Sequence, residues 1–553
     1  MADQRYEEEE QYEDEPLPEG PREPETLTDQ IIQKTPWWFL SIFGHGLAFL
    51  LIAFIVVVAG PNKDEEVVVV AAPRKPPPEP EIEKPKDLQH AEKFLDIDKQ
   101  VEDPIFKRAE EADHNESDDN EEFESMKGDS TDFKSDKPFK GQGLNDSIGA
   151  GGGGGGRYGG RYGGKKNLVA RGGGSDETEG AVLAALRWLS RHQSPDGSWA
   201  LSAYLNQCGK VAKYTGRCDP TGIHQAVDVA THNYDVGLTG LSLLAFLGAG
   251  YTHTSKDEYD GIRFGDVVRN SLQYLLKMQD AEGCVGSRSV EQYMYNHTIA
   301  ALALSEAYGL TGNIKFKDQA QRAIDFIVAA QNPGKGWRYI YQAGENDTSV
   351  TGWAVMALKS ADLSGLTFDR TVAYDGARAW LDSVDYKPGE GGGTGGTTRW
   401  KAGYQFGAEA DVAIPGINDQ YDQHPSMTAI SVMSRIFMDK KRGDAKVSCG
   451  AKVLLDDLPK WDLLAIDFYY WYYASLAIYQ YDGPDGPLWK SWNRKMVSSL
   501  VDNQNKQAGQ DKGGSWEPVC RWCCKGGRVY GTAINALTLE VYYRYASVFG
   551  GKN

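Results

Sequence analysis

Five side chains capable of acid–base chemistry stand at the start of strongly apolar segments: Asp235, Asp347, Asp467, His297 and His424. Carboxyl and imidazole groups are common general acids and bases, so these five are the candidate catalytic residues. The alternative is structural, because an Asp at a helix start caps the first turn and contributes about 1 kcal/mol. The two histidines could equally be hydrogen-bonded structural residues. The residue types alone leave both interpretations open.

Polar and aromatic side chains near these candidates form a candidate binding set: Tyr234, Asn296, Thr348, Ser349, Trp400 and Tyr530. Trp400 belongs to a long segment, 385–423, which contains the run GEGGGTGGTTRW. Segments of this length inside compact domains usually carry function or lack order. We expect this segment, with its Tyr404, to cover the mouth of a binding site.

The chain has 7 cysteines, and three of them are closely spaced as Cys520, Cys523 and Cys524. This spacing resembles one half of a zinc knuckle, and a complete structural site needs a second pair. Cys208 and Cys218 could supply that pair, or could bridge to each other in an oxidising compartment. Disulfides or free thiols are favoured over zinc, so we predict no metal and no other cofactor.

The elements that must position these residues recur at intervals of roughly 50 residues from position 175, which is typical of repeat architectures. Each unit pairs an amphipathic helix with a second, more uniformly apolar helix. Leu183, Leu186 and Leu189 show the spacing of one helix face in the first unit. Helices that are apolar on most sides are buried, so the second helix of each pair should face inward. Six such pairs close a ring, and we predict an all-α fold, an α6/α6 toroid.

The turns between paired helices carry Gln, Gly and Trp at fixed spacing. The first copy reads Trp188-Leu189-x3-Gln193-x3-Gly197-x-Trp199. Related turns contribute the other predicted structural residues: Gln279, Gly283, Gln331, Trp337 and Trp516. The motif resembles the QW repeat of squalene–hopene and oxidosqualene cyclases, and the region from 175 onward resembles the terpenoid cyclase and protein prenyltransferase toroids. In that family the Gln caps neighbouring helix ends and the Trp packs against it.

The resemblance implies that the N-termini of the inner helices face a common cavity, where the family's active sites lie. The family's proton donor is the central Asp of an Asp-x-Asp-Asp-Thr motif, and the matching stretch is Gly344-Glu345-Asn346-Asp347-Thr348. An amide at Asn346 cannot donate that proton, so cyclase chemistry of this kind is not expected. The zinc-binding Asp-x-Cys of the protein prenyltransferases and the Gly-Cys-Gly-Glu-Gln run of thioester toroids are also missing from the expected positions.

The N-terminal third of the chain has a different composition. The net charge of −19 arises largely there and opposes binding to phosphate backbones, so no nucleic-acid partner is expected. Segment 37–60 is apolar and has no charged residue. At about 1.5 Å per residue it is long enough to cross the roughly 30 Å of a bilayer. We predict four parts: an acidic disordered tail (1–36), a transmembrane helix (37–60), a Pro-rich, acidic and then Gly-rich disordered linker (61–174), and the toroid (175–553).

The Pro-Glu and Pro-Lys stretch 71–86 resembles the spacer of TonB-type energy transducers, which have a cytoplasmic N-terminus, one anchor and a periplasmic remainder. The resemblance implies a single-pass protein of the inner membrane with an extracytoplasmic toroid. Our leading hypothesis is a membrane-tethered binding or scaffold module whose partner is a lipid, a polyprenyl ligand or another protein. The alternatives are an enzyme acting on a polyprenyl or lipid substrate, and a glycan-binding or glycan-active barrel. An apolar cavity lined by Phe, Trp and Leu would favour the lipid, whereas a groove with Tyr, Trp and paired carboxylates would favour the glycan.

Overall fold

The computed structural model describes residues 156–161, 165–201, 203–216, 218, 233–386, 400–405, 414, 418–439 and 441–545. The predicted tail 1–36, the predicted transmembrane helix 37–60 and most of the predicted linker lie outside these ranges. Among the helices that the structure describes, none has the length and apolarity needed to cross a membrane.

Fourteen α-helices make up most of the described chain. In chain order they are α1 (Lys165–Gly172), α2 (Asp176–Arg191), α3 (Asp235–Gly248), α4 (Phe264–Lys277), α5 (Tyr293–Thr311), α6 (Lys317–Ala330), α7 (Thr348–Leu363), α8 (Arg370–Ser383), α9 (Ser426–Asp439), α10 (Ala445–Val453), α11 (Phe468–Asp482), α12 (Pro487–Val501), α13 (Cys523–Leu539) and α14 (Val541–Arg544). Short 3-10 turns occur at Gly156–Arg161, Ala203–Gln207, Ile314–Phe316 and Leu454–Asp456. Two small antiparallel hairpins pair β1 (Glu258–Tyr259) with β2 (Ile262–Arg263) and β3 (Asp385–Tyr386) with β4 (Lys401–Ala402).

The odd-numbered helices α3 to α13 form a closed inner ring. Each packs against the next odd-numbered helix along the chain, and α13 packs against α3 to complete the ring. The even-numbered helices α2 to α12 lie outside, where α4 packs on α3, α6 on α5, and α2 on α13. The predicted all-α toroid of six helix pairs is therefore confirmed.

Burial follows the predicted division between outer and inner helices. In outer helix α4 the buried residues lie three and four apart, as in Val268, Ser271, Leu272 and Leu275. In inner helix α3 every residue from Val236 to Gly248 is buried. A one-sided apolar stripe can cover a core from outside, whereas a helix that packs on all sides must be apolar throughout.

The Gln side chains of the turns hold neighbouring units together. The Gln193 amide donates to the carbonyls of Gly197, in its own turn, and Val267, in α4, at 3.0 and 2.9 Å. Gln279 and Gln331 make the equivalent pairs of bonds to their own turns and to α6 and α8. Each Gln amide therefore donates both to the turn of its own unit and to the first turn of the next outer helix, and so links consecutive units.

The Trp side chains of the same turns are buried core residues. Trp199, Trp337 and Trp516 are fully buried. The indole N–H of Trp199 donates to the Leu189 carbonyl at 2.9 Å, and that of Trp337 donates to the Ile327 carbonyl at 2.7 Å. Each Trp thus fills the space between the two helices of its unit while its one polar atom is paired.

Two short segments ahead of the predicted domain boundary at 175 also pack onto the toroid, namely the 3-10 turn Gly156–Arg161 and helix α1. Tyr158 is buried, and the guanidinium of Arg161 forms a fully buried ion pair of 2.8 Å with Glu306. The folded unit therefore begins inside the segment that composition marks as linker. The Tyr158 ring and the Arg161–Glu306 ion pair hold this stretch against the toroid, although its many glycines suggest flexibility.

Candidate functional site

A cavity with an empty volume of about 1020 Å³, part of it open to solvent, lies at the N-terminal ends of the inner helices. Its walls include residues from the first turns of all six, such as Leu238 of α3, Met427 of α9 and Gly526 of α13. Eight aromatic side chains dominate the lining: Tyr234, Tyr295, Tyr339, Trp353, Tyr404, Tyr469, Trp522 and Tyr530. Among the described lining residues Lys525 is the single cation, and no carboxylate is present.

Hydrogen bonds between hydroxyl groups fix the tyrosines of the cavity wall. The Tyr295 hydroxyl donates to Ser349 Oγ at 2.8 Å, and Ser349 Oγ lies 2.6 Å from the Tyr469 hydroxyl. This chain joins α5, α7 and α11 across the ring. The Tyr234 hydroxyl donates to Gln292 Oε1 at 2.9 Å. Because these hydroxyls bond to one another, the rings can present apolar faces to the cavity.

Tyr404 reaches the cavity from the long segment 385–423, of which only small parts are described. Thr348, at the start of α7, holds it there. The Thr348 amide donates to the Tyr404 carbonyl at 3.1 Å, and Thr348 Oγ1 donates to the Gly403 carbonyl at 2.7 Å. The Tyr404 hydroxyl is hydrogen-bonded to that of Tyr339. The bonds from Thr348 therefore set the position of this ring in the cavity wall.

Asp347 lies directly behind this wall and is fully buried. Its carboxylate caps α7 by accepting a hydrogen bond from the Val350 amide at 2.7 Å. Burial raises the pKa of Asp347 to about 7, against the opposing effects of the Val350 amide, Arg338 and the Tyr404 hydroxyl. Desolvation penalises the charged form of a carboxyl group, which explains why the pKa rises. Asp347 is thus a helix cap and a weak acid next to the cavity, not part of its described lining.

The position that carries the proton donor in the cyclases is occupied by a bound amide. Asn346 Oδ1 accepts a hydrogen bond from the Asn332 side chain at 2.9 Å. The neighbouring Glu345 has a side chain that is 72% exposed and pairs with Arg338, so it points away from the cavity. Neither residue can deliver a proton to a ligand in the ring.

Asp467 and His424 form a second buried group that lies outside the described cavity lining. Asp467 caps α11 by accepting from the Tyr470 amide at 2.9 Å. Burial raises the pKa of Asp467, and the nearby His424 opposes the rise. The imidazole of His424 stacks on Tyr470 with ring centres 5.2 Å apart and bonds through Nδ1 to Asp457. Both candidates therefore have the contacts of structural residues, Asp467 as a helix cap and His424 as a stacked, hydrogen-bonded imidazole.

His297 is a structural residue of the second unit. Its Nδ1 accepts a hydrogen bond from the Val285 amide at 2.9 Å, and its Nε2 lies 3.0 Å from the Ala323 carbonyl. Burial lowers the pKa of His297 to about 3, so the ring is neutral and both nitrogens are occupied. Asp235, at the start of α3, has a pKa that burial raises, and it is also outside the described lining.

Four of the six predicted binding residues line the cavity: Tyr234, Asn296, Ser349 and Tyr530. Thr348 instead anchors the Tyr404 segment, and Trp400 lies 5.7 Å from the Lys446 ammonium, away from the described lining. The sequence interpretation missed the cavity aromatics Tyr295, Tyr339, Trp353, Tyr469 and Trp522, together with Lys525. Extending the search from the first residue of each inner helix to its first two turns would have found Tyr295, Trp353 and Tyr469.

The three closely spaced cysteines, whose spacing resembles half of a zinc knuckle, contain a disulfide, in line with the preference for disulfides or free thiols over zinc. Cys520 and Cys523 form this disulfide just before and at the start of α13, which removes two of the three thiols. Cys524 is buried and has a free thiol.

Cys208 and Cys218 neither pair with Cys520, Cys523 and Cys524 nor form a disulfide with each other. Both have free thiols and stand beside His192 and Asp511. We refer to these four residues as the His192 cluster. Sequence spacing could not have found it, because Asp511 comes from the other end of the toroid domain.

Comparison with known proteins finds partial similarities. Three solved structures are similar to the chain: an alpha-amylase from Clostridium perfringens (12% identity, 66% of this chain and 97% of that chain covered, TM-score 0.40), a protein from Actinoplanes (15%, 66%, 99% and 0.37), and an inactive variant of an alpha-1,6-mannanase of Salegentibacter sp. HEL1_6 in complex with alpha-1,6-mannotriose (10%, 66%, 98% and 0.39). No curated protein matches the chain significantly. The family model of the squalene-hopene cyclase C-terminal domain matches residues 173–382, so this part of the toroid is similar to that domain.

Proposed function

We propose that the toroid is a binding module for an amphiphilic ligand of the polyprenyl or lipid class, held in the central cavity. The observation that carries the proposal is the cavity lining, in which eight aromatic side chains surround the space and Lys525 is the one described cation. Aromatic walls suit an apolar chain, and an ammonium group suits an anionic head group. The ligand would therefore combine an isoprenoid or acyl chain with a phosphate or carboxylate.

The same lining argues against a cyclisation reaction started by a carboxylic acid. Such a reaction needs a strong acid within reach of the ligand, and the matching position is the hydrogen-bonded amide of Asn346. A raised pKa makes Asp347 a weaker acid than an ordinary Asp, which is the wrong direction for protonating an alkene. Binding without this chemistry is the function that the site supports best.

Glycan hydrolysis is less well supported. Glycosidases generally place two carboxyl groups on either side of the scissile bond, about 5 to 9.5 Å apart. The described lining contains no Asp or Glu that could form such a pair. Tyr and Trp faces could still stack on sugar rings, so glycan binding is an outcome that the experiment must distinguish.

Calorimetric titration of the full chain in detergent tests the proposal, with geranylgeranyl phosphate, geranylgeraniol and mannotriose as probes. We expect both isoprenoids to bind and the phosphate to bind about ten- to hundredfold more tightly, because a charged pair contributes about 1.5 to 3 kcal/mol. Lys525→Gln should abolish that difference, whereas Lys490→Gln, on the exposed side of α12, should leave it unchanged. Binding of mannotriose without isoprenoid binding would refute the lipid proposal and favour the glycan alternative.

We further propose that segment 37–60 anchors the toroid on the outer side of the inner membrane. The support is the length and apolarity of that segment and the TonB-like spacer that follows it. A cysteine introduced at Gly152 should react with a membrane-impermeant maleimide in intact spheroplasts, whereas one introduced at Gln4 should react only after lysis. The reverse pattern would put the toroid in the cytoplasm.

A further inference from the structure

The His192 cluster brings four potential metal ligands together at a site outside the central cavity. His192 ends α2, Cys208 follows the 3-10 turn Ala203–Gln207, and Asp511 lies in the connection between α12 and α13. One ligand atom from each of these residues and from Cys218 lies within 4.8 Å of all the others. Three separated stretches of chain therefore converge on one point.

The distances between these atoms fit a tetrahedral ion. His192 Nε2 lies 3.1 Å from Asp511 Oδ2 and 3.6 Å from the Sγ atoms of both Cys208 and Cys218. Cys218 Sγ lies 3.9 Å from Asp511 Oδ2. Bonds of about 2.0 to 2.2 Å from zinc to nitrogen or oxygen and about 2.3 Å to sulfur give tetrahedron edges of roughly 3.2 to 3.8 Å. The donor set of two sulfurs, one imidazole and one carboxylate is also one that zinc accepts.

The surroundings orient the ligands as metal sites usually do. His192 Nδ1 lies 2.7 Å from the Trp188 carbonyl, so a proton on Nδ1 is donated to that oxygen and the lone pair of Nε2 faces the cluster. The imidazole stacks on the Trp188 ring with centres 4.2 Å apart, which fixes its plane. The Gly209 amide donates to Asp511 Oδ2 at 3.3 Å and holds the carboxylate in place.

The cluster is closed to solvent on most sides. His192 and Cys218 are 0% and 1% exposed, and Asp511 is 2% exposed. Cys208 is half-buried. A thiol, a carboxylate and an imidazole rarely share a buried site with a second thiol at its edge, because each prefers water or a charged partner. A divalent cation satisfies all four at once. With four protein ligands, such a site is structural and has no open position for a substrate.

The location of the cluster indicates what the ion would do. The Thr215 amide donates to the Gly509 carbonyl at 2.8 Å, and the Asp511 amide donates to the Thr215 carbonyl at 2.9 Å. These bonds already join the connection of the first helix pair to that of the sixth. A metal bound by His192 and Asp511 would cross-link the same two units where the ring closes.

We propose that His192 Nε2, Cys208 Sγ, Cys218 Sγ and Asp511 Oδ2 bind one Zn²⁺ ion that fastens the closure of the toroid. On binding, the two thiols release their protons to solvent, the four ligand bonds form, and no electron is transferred. The competing chemistry is a disulfide between Cys208 and Cys218, which would remove both sulfur ligands. The inference is independent of the proposed ligand of the central cavity.

The test is to purify the full chain in detergent under reducing conditions without chelator, and to measure bound metal by mass spectrometry. We expect one zinc per chain, which Cys218→Ser reduces to none. The matched control is Cys449→Ser, a half-buried thiol of α10, which should retain the zinc. Replacement of zinc by Co²⁺ in the unaltered chain should give the thiolate-to-cobalt charge-transfer band and the intense visible bands of a tetrahedral site.

The cobalt spectrum keeps the proposal testable even if Cys218→Ser does not fold. No zinc in the unaltered chain together with no tetrahedral cobalt spectrum would overturn the proposal. So would peptide mapping that finds Cys208 and Cys218 joined by a disulfide in protein purified without reductant. Removal of the metal by a chelator should also lower the thermal midpoint of the unaltered chain and not that of Cys218→Ser.

Discussion

The side-chain amide of Gln504 donates a hydrogen bond of 2.8 Å to the backbone carbonyl of Ala181, 323 positions away in the sequence. The same amide donates to the Gly514 carbonyl at 2.8 Å. Gln504 therefore repeats, between the sixth unit and the first, the bonds that Gln193, Gln279 and Gln331 make between consecutive units. The same turn motif therefore joins consecutive units and also closes the ring.

Gln504→Ala should lower the free energy of unfolding by about 1 to 3 kcal/mol, because it removes two buried hydrogen bonds, one of which links the sixth unit to the first. Denaturant unfolding followed by circular dichroism measures this. Gln507→Ala, at an exposed position of the same connection, is the control and should have little effect. Equal effects of the two substitutions would mean that the Gln504 bonds do not stabilise the closure.

Trp199→Ala and Trp337→Ala should each lower the free energy of unfolding by about 3 to 5 kcal/mol, because each removes a fully buried indole and leaves a cavity. Trp400→Ala, at a half-buried position outside the ring core, should have a clearly smaller effect. Losses below about 1 kcal/mol at Trp199 or Trp337 would contradict their role as packing residues of the turns.

Asp347 should make the toroid less stable as the pH rises from about 4 to about 7. An Asp in the unfolded chain titrates near 3.8, whereas the folded pKa is about 7, so within this window the folded state holds a proton that the unfolded state has released. The stabilising contribution is complete below the lower pKa and is lost as pH passes through the upper one. Its size is about 4 kcal/mol at most, since each tenfold change in proton affinity corresponds to about 1.4 kcal/mol.

The Asp347→Asn variant tests this dependence, since an amide oxygen can still accept from the Val350 amide. Between pH 4 and pH 7 the variant should lose about 3 kcal/mol less stability than the unaltered chain. Asp369→Asn, at the exposed cap of α8, should follow the unaltered chain. Parallel curves for all three proteins would show that Asp347 does not titrate as proposed.

Squalene incubated with the detergent-solubilised protein should give no cyclic product, because Asn346 is an amide and no described carboxylate lines the cavity. Gas chromatography with mass detection of the extracted lipids measures this. Asn346→Asp should also show little turnover, since a working acid needs neighbours that hold it in a reactive state. Cyclic product from the unaltered chain, abolished by Asp347→Asn, would identify Asp347 as the acid and end the binding-module proposal.

The sequence predicted the helices and their pairing because both depend on local patterns. Leu186 and Leu189 mark one face of an outer helix, and the Gln193 to Trp199 turn fixes how that helix meets its partner. Capping by Asp347 and Asp467, one of the two interpretations that the residue types left open, also follows from local rules, since a carboxylate at a helix start accepts from an amide three residues later. These features are confirmed without reference to distant residues.

By itself, the sequence determined the all-α ring of six pairs, the structural role of its turns and the presence of an amide, not an acid, at position 346. Only the tertiary structure decided which side chains meet. Tyr404 enters the cavity from a long segment because Thr348 holds its backbone, and Asp511 reaches His192, 319 positions away, because the ring closes on itself. Periodicity specifies the faces of a helix, whereas contacts between distant units depend on how all six pairs pack together.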